Sequence, residues 1–309
     1  TERGTRPERT LAIRDVSLRV AGATSDPTQP ITFDLTASTS VARAIRLSGT
    51  WLRSPVQLQA KAAIEAVDLP GLRAWLPATL PVEILSGQAS LTLQADVRRD
   101  QEGLAASGTA GLTLHDIRVQ AEPGGAFVAE DIEVALGQIK AAGPGLAGLA
   151  LEAVGRVRGK AVHARLGDGA RPATAEASVG DVQVTLGRIG LVPQPGGVRT
   201  LTVQGSAAFR GLQGRGPGYG VDSLEVQEAR ADIAALTTRL DPGGLWWDLR
   251  GGVSMTQVEG RSPDLPVRAW KAAGIQMDVG QLQSAPFRLH LRRLEVDRPE
   301  VQAVRAEDV

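Results

Sequence analysis

The chain contains no cysteine. That excludes disulfide staples, thiolate catalysis and thiolate-bound metal, and it fits either a reducing or an oxidising compartment. Histidine is nearly as scarce. His115, His163 and His290 are far apart in sequence and each falls in an alternating stretch, so they read as strand residues rather than a ligand set. Aromatics make up 3%. A closed β-sandwich usually carries bulky rings between its sheets, each burying ~150–250 Å²; here the apolar complement is mostly Ala, Leu and Val. Net charge is absent too, since 34 Lys plus Arg balance 34 Asp plus Glu. Without a basic block there is no electrostatic reason to expect nucleic acid or an anionic membrane surface as the main partner.

Long hydrophobic runs are also missing: none reaches the ~18 apolar residues that a membrane span requires. The best candidate, Ala141–Val154, is broken by Gly143, Pro144, Gly145 and Gly148. The chain begins at Thr1 with a polar TERGTRPERT lead and no apolar signal segment, and reads as a processed or excised piece.

What the chain does have is alternation. In LAIRDVSLRV (Leu11–Val20), Leu11 and Ile13 alternate with polar residues, the phase slips at Arg14-Asp15, and Val16, Leu18 and Val20 resume it. Alternation predicts a strand with one apolar face, and the slip predicts a bulge or kink that keeps that face inward. The figure returns at Leu112–Val119 (LTLHDIRV), Phe127–Val134 (FVAEDIEV), Val179–Leu186 (VGDVQVTL) and Leu289–Val296 (LHLRRLEV). Asp116, Asp131 and Asp181 keep the Asp, and Arg293 replaces it in the last copy. A single Asp flanked by apolar residues suits local backbone bonding at the bend better than ion binding. The recurrence predicts an array of bent strands.

Roughly fifteen strands of about 6–12 residues follow along the chain, at hairpin spacing that favours antiparallel neighbours. Turns are expected at SDPTQP, RSP, RRDQEG, EPGG, GDGARP, PQPGG, RGPG, DPGG and RSPD. One short helix is expected near 68–77, with Asp68 capping, Pro70 in the first turn, and Leu69, Leu72, Trp75 and Leu76 on one side. The clearest alternation is Val56, Leu58, Ala60, Ala62, Ile64 and Ala66, and a later stretch alternates through Ala89, Leu91, Leu93, Ala95 and Val97.

Catalytic patterns are not found. Glu130-Asp131 are adjacent on one strand and are expected on opposite faces, whereas a glycosidase pair must converge across a cleft. GLQGRGPGYG (Gly211–Gly220) and AAGPGLAG (Ala141–Gly148) lack the strand-to-helix setting of a phosphate loop and read as loops. Trp246-Trp247 places one ring inward; the other is exposed or at an interface. The chain is therefore read as non-enzymatic, with no cofactor and no metal.

The segments IRDVSLRV, SDPTQPITFDLTAS and IRLSGTW, followed by VQLQAKAAIEAVDLPGLRAWLP, VEILSGQASLTLQADV and GLTLHDIRV, resemble the bacterial AsmA-like (TamB-like) envelope superfamily over Arg9–Gln120. LRRLEVDRPEVQAVR is similar to the family's closing strand. The resemblance implies a long sheet curled into a hydrophobic groove, in a periplasmic protein tethered to the inner membrane through an N-terminal anchor missing from this chain. It also implies a role in outer-membrane biogenesis, including phospholipid transfer. The expectation is thus an all-β, mainly antiparallel, elongated and curled sheet with one short helix, forming a hydrophobic groove or a flattened sandwich. Residues 1–120 form an AsmA-like unit, and 121–309 continue the same sheet. The expected partner is phospholipid, its acyl chains lying on Val56, Leu58, Ala60, Ala62, Ile64, Ala89, Leu91, Leu93, Ala95 and Val97. The alternative is a structural or adhesive β-array with a filled core and envelope protein partners.

Overall fold

A computed structural model of the chain describes residues 12–75, 82–99, 103–121, 124–144, 148–166, 175–193, 199–216, 221–241, 244–262, 267–284 and 287–303. The TERGTRPERT lead and the GDGARP turn lie outside the described residues. So do parts of the RRDQEG, EPGG, AAGPGLAG, PQPGG, RGPG, DPGG and RSPD segments and the C-terminal end of the expected helix.

Alternating apolar and polar residues give fifteen strands: β1 Ile13–Ala21, β2 Ile31–Thr39, β3 Ala42–Leu52, β4 Val56–Asp68, β5 Val82–Arg99, β6 Leu104–Ala121, β7 Gly125–Gly143 and β8 Ala150–Leu166, then β9 Ala175–Pro193, β10 Arg199–Gly216, β11 Val221–Asp241, β12 Gly244–Arg261, β13 Val267–Ser284, β14 Phe287–Asp297 and β15 Glu300–Ala303. They form one antiparallel meander in chain order from β1 to β14, with β15 also paired to β13. The sheet is curled but open, with β1 and β14 at its two ends among the described residues. The expected helix is a 3₁₀ helix at Pro70–Trp75, where Asp68 Oδ2 accepts from the Gly71 amide at 3.1 Å.

The strands are longer than the sequence suggests. β11 has 21 residues, roughly 70 Å if fully extended. GLQGR, read as loop, lies inside β10, and AAG closes β7. Glycine and short polar clusters signal breaks in isolation, but here they sit where long strands bend.

Two lines of bends cross the sheet. The first is marked by residues in the left-handed region: Asp116, Ala161, Gly211, Gln257 and Arg298, with φ between 44° and 64°. Register puts them at one level. Asp116 and Ala161 both stand beside Glu130 of β7, and Ala161 and Gly211 both stand beside Gly180 of β9. Gly211 and Gln257 flank Gln227 of β11, and Gln257 and Arg298 flank Ala273 of β13. At this crease successive inward residues are three apart, as in Leu114/Ile117, Ala129/Ile132, Phe209/Leu212 and Val226/Ala229. Two neighbours are thereby left off the apolar face, which is the phase slip visible in the sequence. Asp15 and Ala66 make the same left-handed bend in β1 and β4.

The second crease is a line of register shifts around Gly137 in β7, Gly187 in β9, Ala234 in β11 and Gly280 in β13. Each supplies one extra residue, a β-bulge, and so bends its strand. The two creases run parallel. From Glu130 to Gly137, Gly180 to Gly187, Gln227 to Ala234 and Ala273 to Gly280 the separation is seven residues each time, about 23 Å of strand. Every long strand from β7 to β13 thus crosses a floor of constant width between two bent walls.

Burial follows this geometry. Val226 and Val258 are 2% and 1% exposed, and Ile117, Ala129, Ala229 and Ala272 are buried with them along the first crease. Around Val226, Ala229 and Val258 pack Phe209, Leu212, Leu224, Met255, Trp270 and Ile275. Elsewhere the sheet has a single layer. The chain leaves 20556 Å² accessible, against roughly 12,000 Å² for a compact fold of 32.4 kDa. A flattened sandwich would bury its two inner faces against each other; this sheet does not close in that way.

Candidate functional site: an apolar trough floor

The register of the sheet sets the site. Starting from Leu18 on β1, directly opposed residues run Leu35, Leu47, Ala62, Leu93, Ala110 and Leu136 to β7. The row continues through Gly155, Leu186, Gly205, Ile233, Gly251 and Val279 to Leu291 on β14. It crosses fourteen strands, roughly 60 Å at the inter-strand spacing, and includes no polar side chain. A parallel row from Ala37 on β2 through Ile45, Ile64, Leu91, Leu112 and Val134 on to Met277 and Leu294 is equally apolar.

The lining residues expected from sequence fall into this floor in pairs. Leu58 opposes Val97, Ala60 opposes Ala95, Ala62 opposes Leu93 and Ile64 opposes Leu91, so all eight share one face. Val56 opposes Arg99 at the rim, and Ala89 opposes Val67 beyond the register shift that follows Ile64. Among the described residues nothing covers this part of the floor: Leu91 and Leu93 are 39% and 43% exposed. Much the larger share of the floor lies on β6–β13, where sequence alternation was visible but the register that joins one strand's apolar face to the next was not.

Alternating positions put the charges on the other face. Arg46 pairs with Glu65 at 2.5 Å, Arg188 with Glu152 at 2.6 Å and Lys271 with Glu259 at 2.6 Å, all solvent-exposed. Such pairs contribute roughly 0–1 kcal/mol each; their main consequence is a wetted back opposite an uncharged floor.

Glu130 and Asp131 do not diverge as strict alternation requires. They occupy the two adjacent positions that the first crease leaves off the apolar face, and Asp131 Oδ1 lies 2.5 Å from His115 Nδ1. His163 and His290 are exposed strand residues. Among the described residues no group of three or more His, Asp or Glu is arranged to hold a metal. Trp246 and Trp247 are both half-buried; the Arg239 guanidinium stacks over the Trp246 ring at 5.7 Å, a cation–π contact. Trp247 is in register with Thr238 on β11, at the wall beyond the second crease. Among the described residues no helix is long and apolar enough to cross a membrane.

No family model, curated protein or solved structure matches this chain.

Proposed function

We propose that the trough binds phospholipid acyl chains, and that the chain is a non-enzymatic component of the bacterial envelope that holds or passes lipid along its floor. The observation that carries this reading is the unbroken apolar row from Leu18 to Leu291. Apolar surface left in water costs ~25 cal/mol per Å², and the chain supplies no second layer to cover it among the described residues. An occupant made of hydrocarbon satisfies the floor without asking for hydrogen bonds. Small aliphatic side chains give a smooth bed on which such an occupant can slide between strands.

The resemblance of Arg9–Gln120 to AsmA-like proteins points the same way and supplies the setting. That setting is the periplasm, with a tether to the inner membrane and a contribution to outer-membrane biogenesis. The second reading, a structural or adhesive β-array with protein partners, draws on the packed cluster at Val226 and Val258. It requires comparable packing along the whole sheet, and Leu91 and Leu93 lie outside any such cluster.

A photo-crosslinking amino acid at Leu93, with Thr92 on the opposite face as control, tests the proposal in cells. Lipid adducts at Leu93 and not at Thr92 are expected. Equal labelling at both positions, or adducts only to protein, would reject it.

A further inference from the structure

The two ends of the trough are not alike. β1 carries Arg14 and Arg19, but Asp15 adjoins Arg14 and Asp34 stands directly opposite Arg19. At the other end, β14 reads FRLHLRRLEVD. Its distal half is balanced, since Arg293 pairs with Glu295 and Arg298 with Asp297 at 3.4 Å. Its first half is not. Arg288, His290 and Arg292 have no ion-pair or hydrogen-bond partner among the described residues.

These three side chains alternate with leucines. His290 and Arg292 converge on one spot: His290 Nδ1 and Arg292 Nε both lie 2.9 Å from where a Cβ on Gly280 would stand. The bare glycine of the second crease therefore leaves room for both side-chain nitrogens over its Cα. On the other face of the same strand, Leu289, Leu291 and Leu294 are 53%, 39% and 57% exposed. Leu291 and Leu294 are the last members of the two apolar floor rows. Among the described residues, β14 also has one edge to which no strand is paired. Such an edge cannot enter hydrocarbon, where its backbone groups would find no partner, but it is satisfied at headgroup depth.

We propose that the β14 end of the trough seats on an anionic phospholipid bilayer. Arg288, His290 and Arg292 face the phosphates, and Leu289, Leu291 and Leu294 open the floor toward the acyl region. This rests on the acyl-binding reading of the trough and adds a polarity to it: β14, not β1, is the membrane-facing end.

The test is co-sedimentation of the full chain with vesicles of phosphatidylcholine alone and of phosphatidylcholine with 30% phosphatidylglycerol. Basic side chains near an anionic surface contribute about five-fold each to partitioning, so R288Q/R292Q lowers the partition coefficient on the mixed vesicles roughly thirty-fold. R14Q/R19Q leaves it nearly unchanged, and 0.5 M salt erases the difference between wild type and R288Q/R292Q. Equal wild-type binding to both vesicle types, or an equal loss from R14Q/R19Q, overturns the proposal. Extraction of lipid from the same preparations separates the two readings. Copurifying lipid without phosphatidylglycerol-dependent binding rejects the docking end and leaves the trough. Phosphatidylglycerol-dependent binding without copurifying lipid rejects the occupied trough and keeps the charged end.

Discussion

Replacing Gly205 or Gly251 by alanine tests the second crease at the level of single atoms. A Cβ on Gly205 would collide with the Thr185 carbonyl oxygen of β9, and one on Gly251 with the Asp232 carbonyl oxygen of β11. Each overlap falls more than an ångström inside the roughly 3.3 Å at which a carbon comfortably meets a carbonyl oxygen. Neither oxygen can retreat easily, because Thr185 is paired to both β8 and β10, and Asp232 to both β10 and β12. Overpacking of this kind costs ~1–3 kcal/mol, and a fixed backbone target places these sites near ~3 kcal/mol. Gly137, on the same crease, is the control: a Cβ there meets nothing within 4 Å and its φ is not positive. Gly137→Ala should be neutral or stabilising by up to ~1 kcal/mol, through the unfolded state. Urea denaturation followed by far-UV circular dichroism reads all three. Equal midpoints for Gly205→Ala and Gly137→Ala would refute the argument that close strand approach, rather than composition, puts glycine in this crease.

At the first crease, Ala161→Gly should raise stability by ~1 kcal/mol by relieving a left-handed non-glycine residue (φ 47°), while Gly211→Ala (φ 64°) should lower it by a similar amount, both by urea melts. Leu93→Asp removes about half of a leucine's burial and should cost ~1–2 kcal/mol. Val226→Asp, placing an unpaired carboxylate at a 2% exposed site, should cost ~3–5 kcal/mol; equal losses would mean that the floor at Leu93 is packed. The Asp26 carboxyl sits below its ordinary range because the Thr28 hydroxyl and amide both donate to it, at 2.7 and 2.9 Å. A depressed carboxylate stabilises above its unfolded pKa and loses that contribution as pH falls through the folded one. Amide exchange at Thr28 should therefore accelerate below the usual carboxylate range, and a pH-independent protection factor would contradict this.

The phase slip was legible in sequence because it leaves two successive residues off an otherwise alternating face. LTLHDIRV, FVAEDIEV and VGDVQVTL all lie on the first crease, and LHLRRLEV lies on the second. What single strands could not disclose is that Asp116 is left-handed whereas Asp131 and Asp181 are not. The strained position falls on alternate strands, and its neighbour bends with it. Strand length was underestimated for a related reason. Gly205, Gly211 and Gly251 resemble turn glycines locally, but each is required by an approach or a dihedral inside a long strand. Of the expected lining, Leu58/Val97, Ala60/Ala95, Ala62/Leu93 and Ile64/Leu91 lie opposite one another because β4 and β5 are antiparallel neighbours on either side of the Pro70–Trp75 helix. The row through Leu136, Leu186, Ile233 and Val279 depends on register across bulges, which no local pattern encodes.

The central claim is that the floor is covered by lipid. It is tested most directly by purifying the chain from bacterial membranes and periplasm without detergent exchange, then quantifying phospholipid by extraction and mass spectrometry. The account predicts at least one phospholipid per chain, reduced in Leu93→Asp without loss of fold. A folded, monomeric chain free of lipid, with its apolar rows protected from solvent, would contradict it.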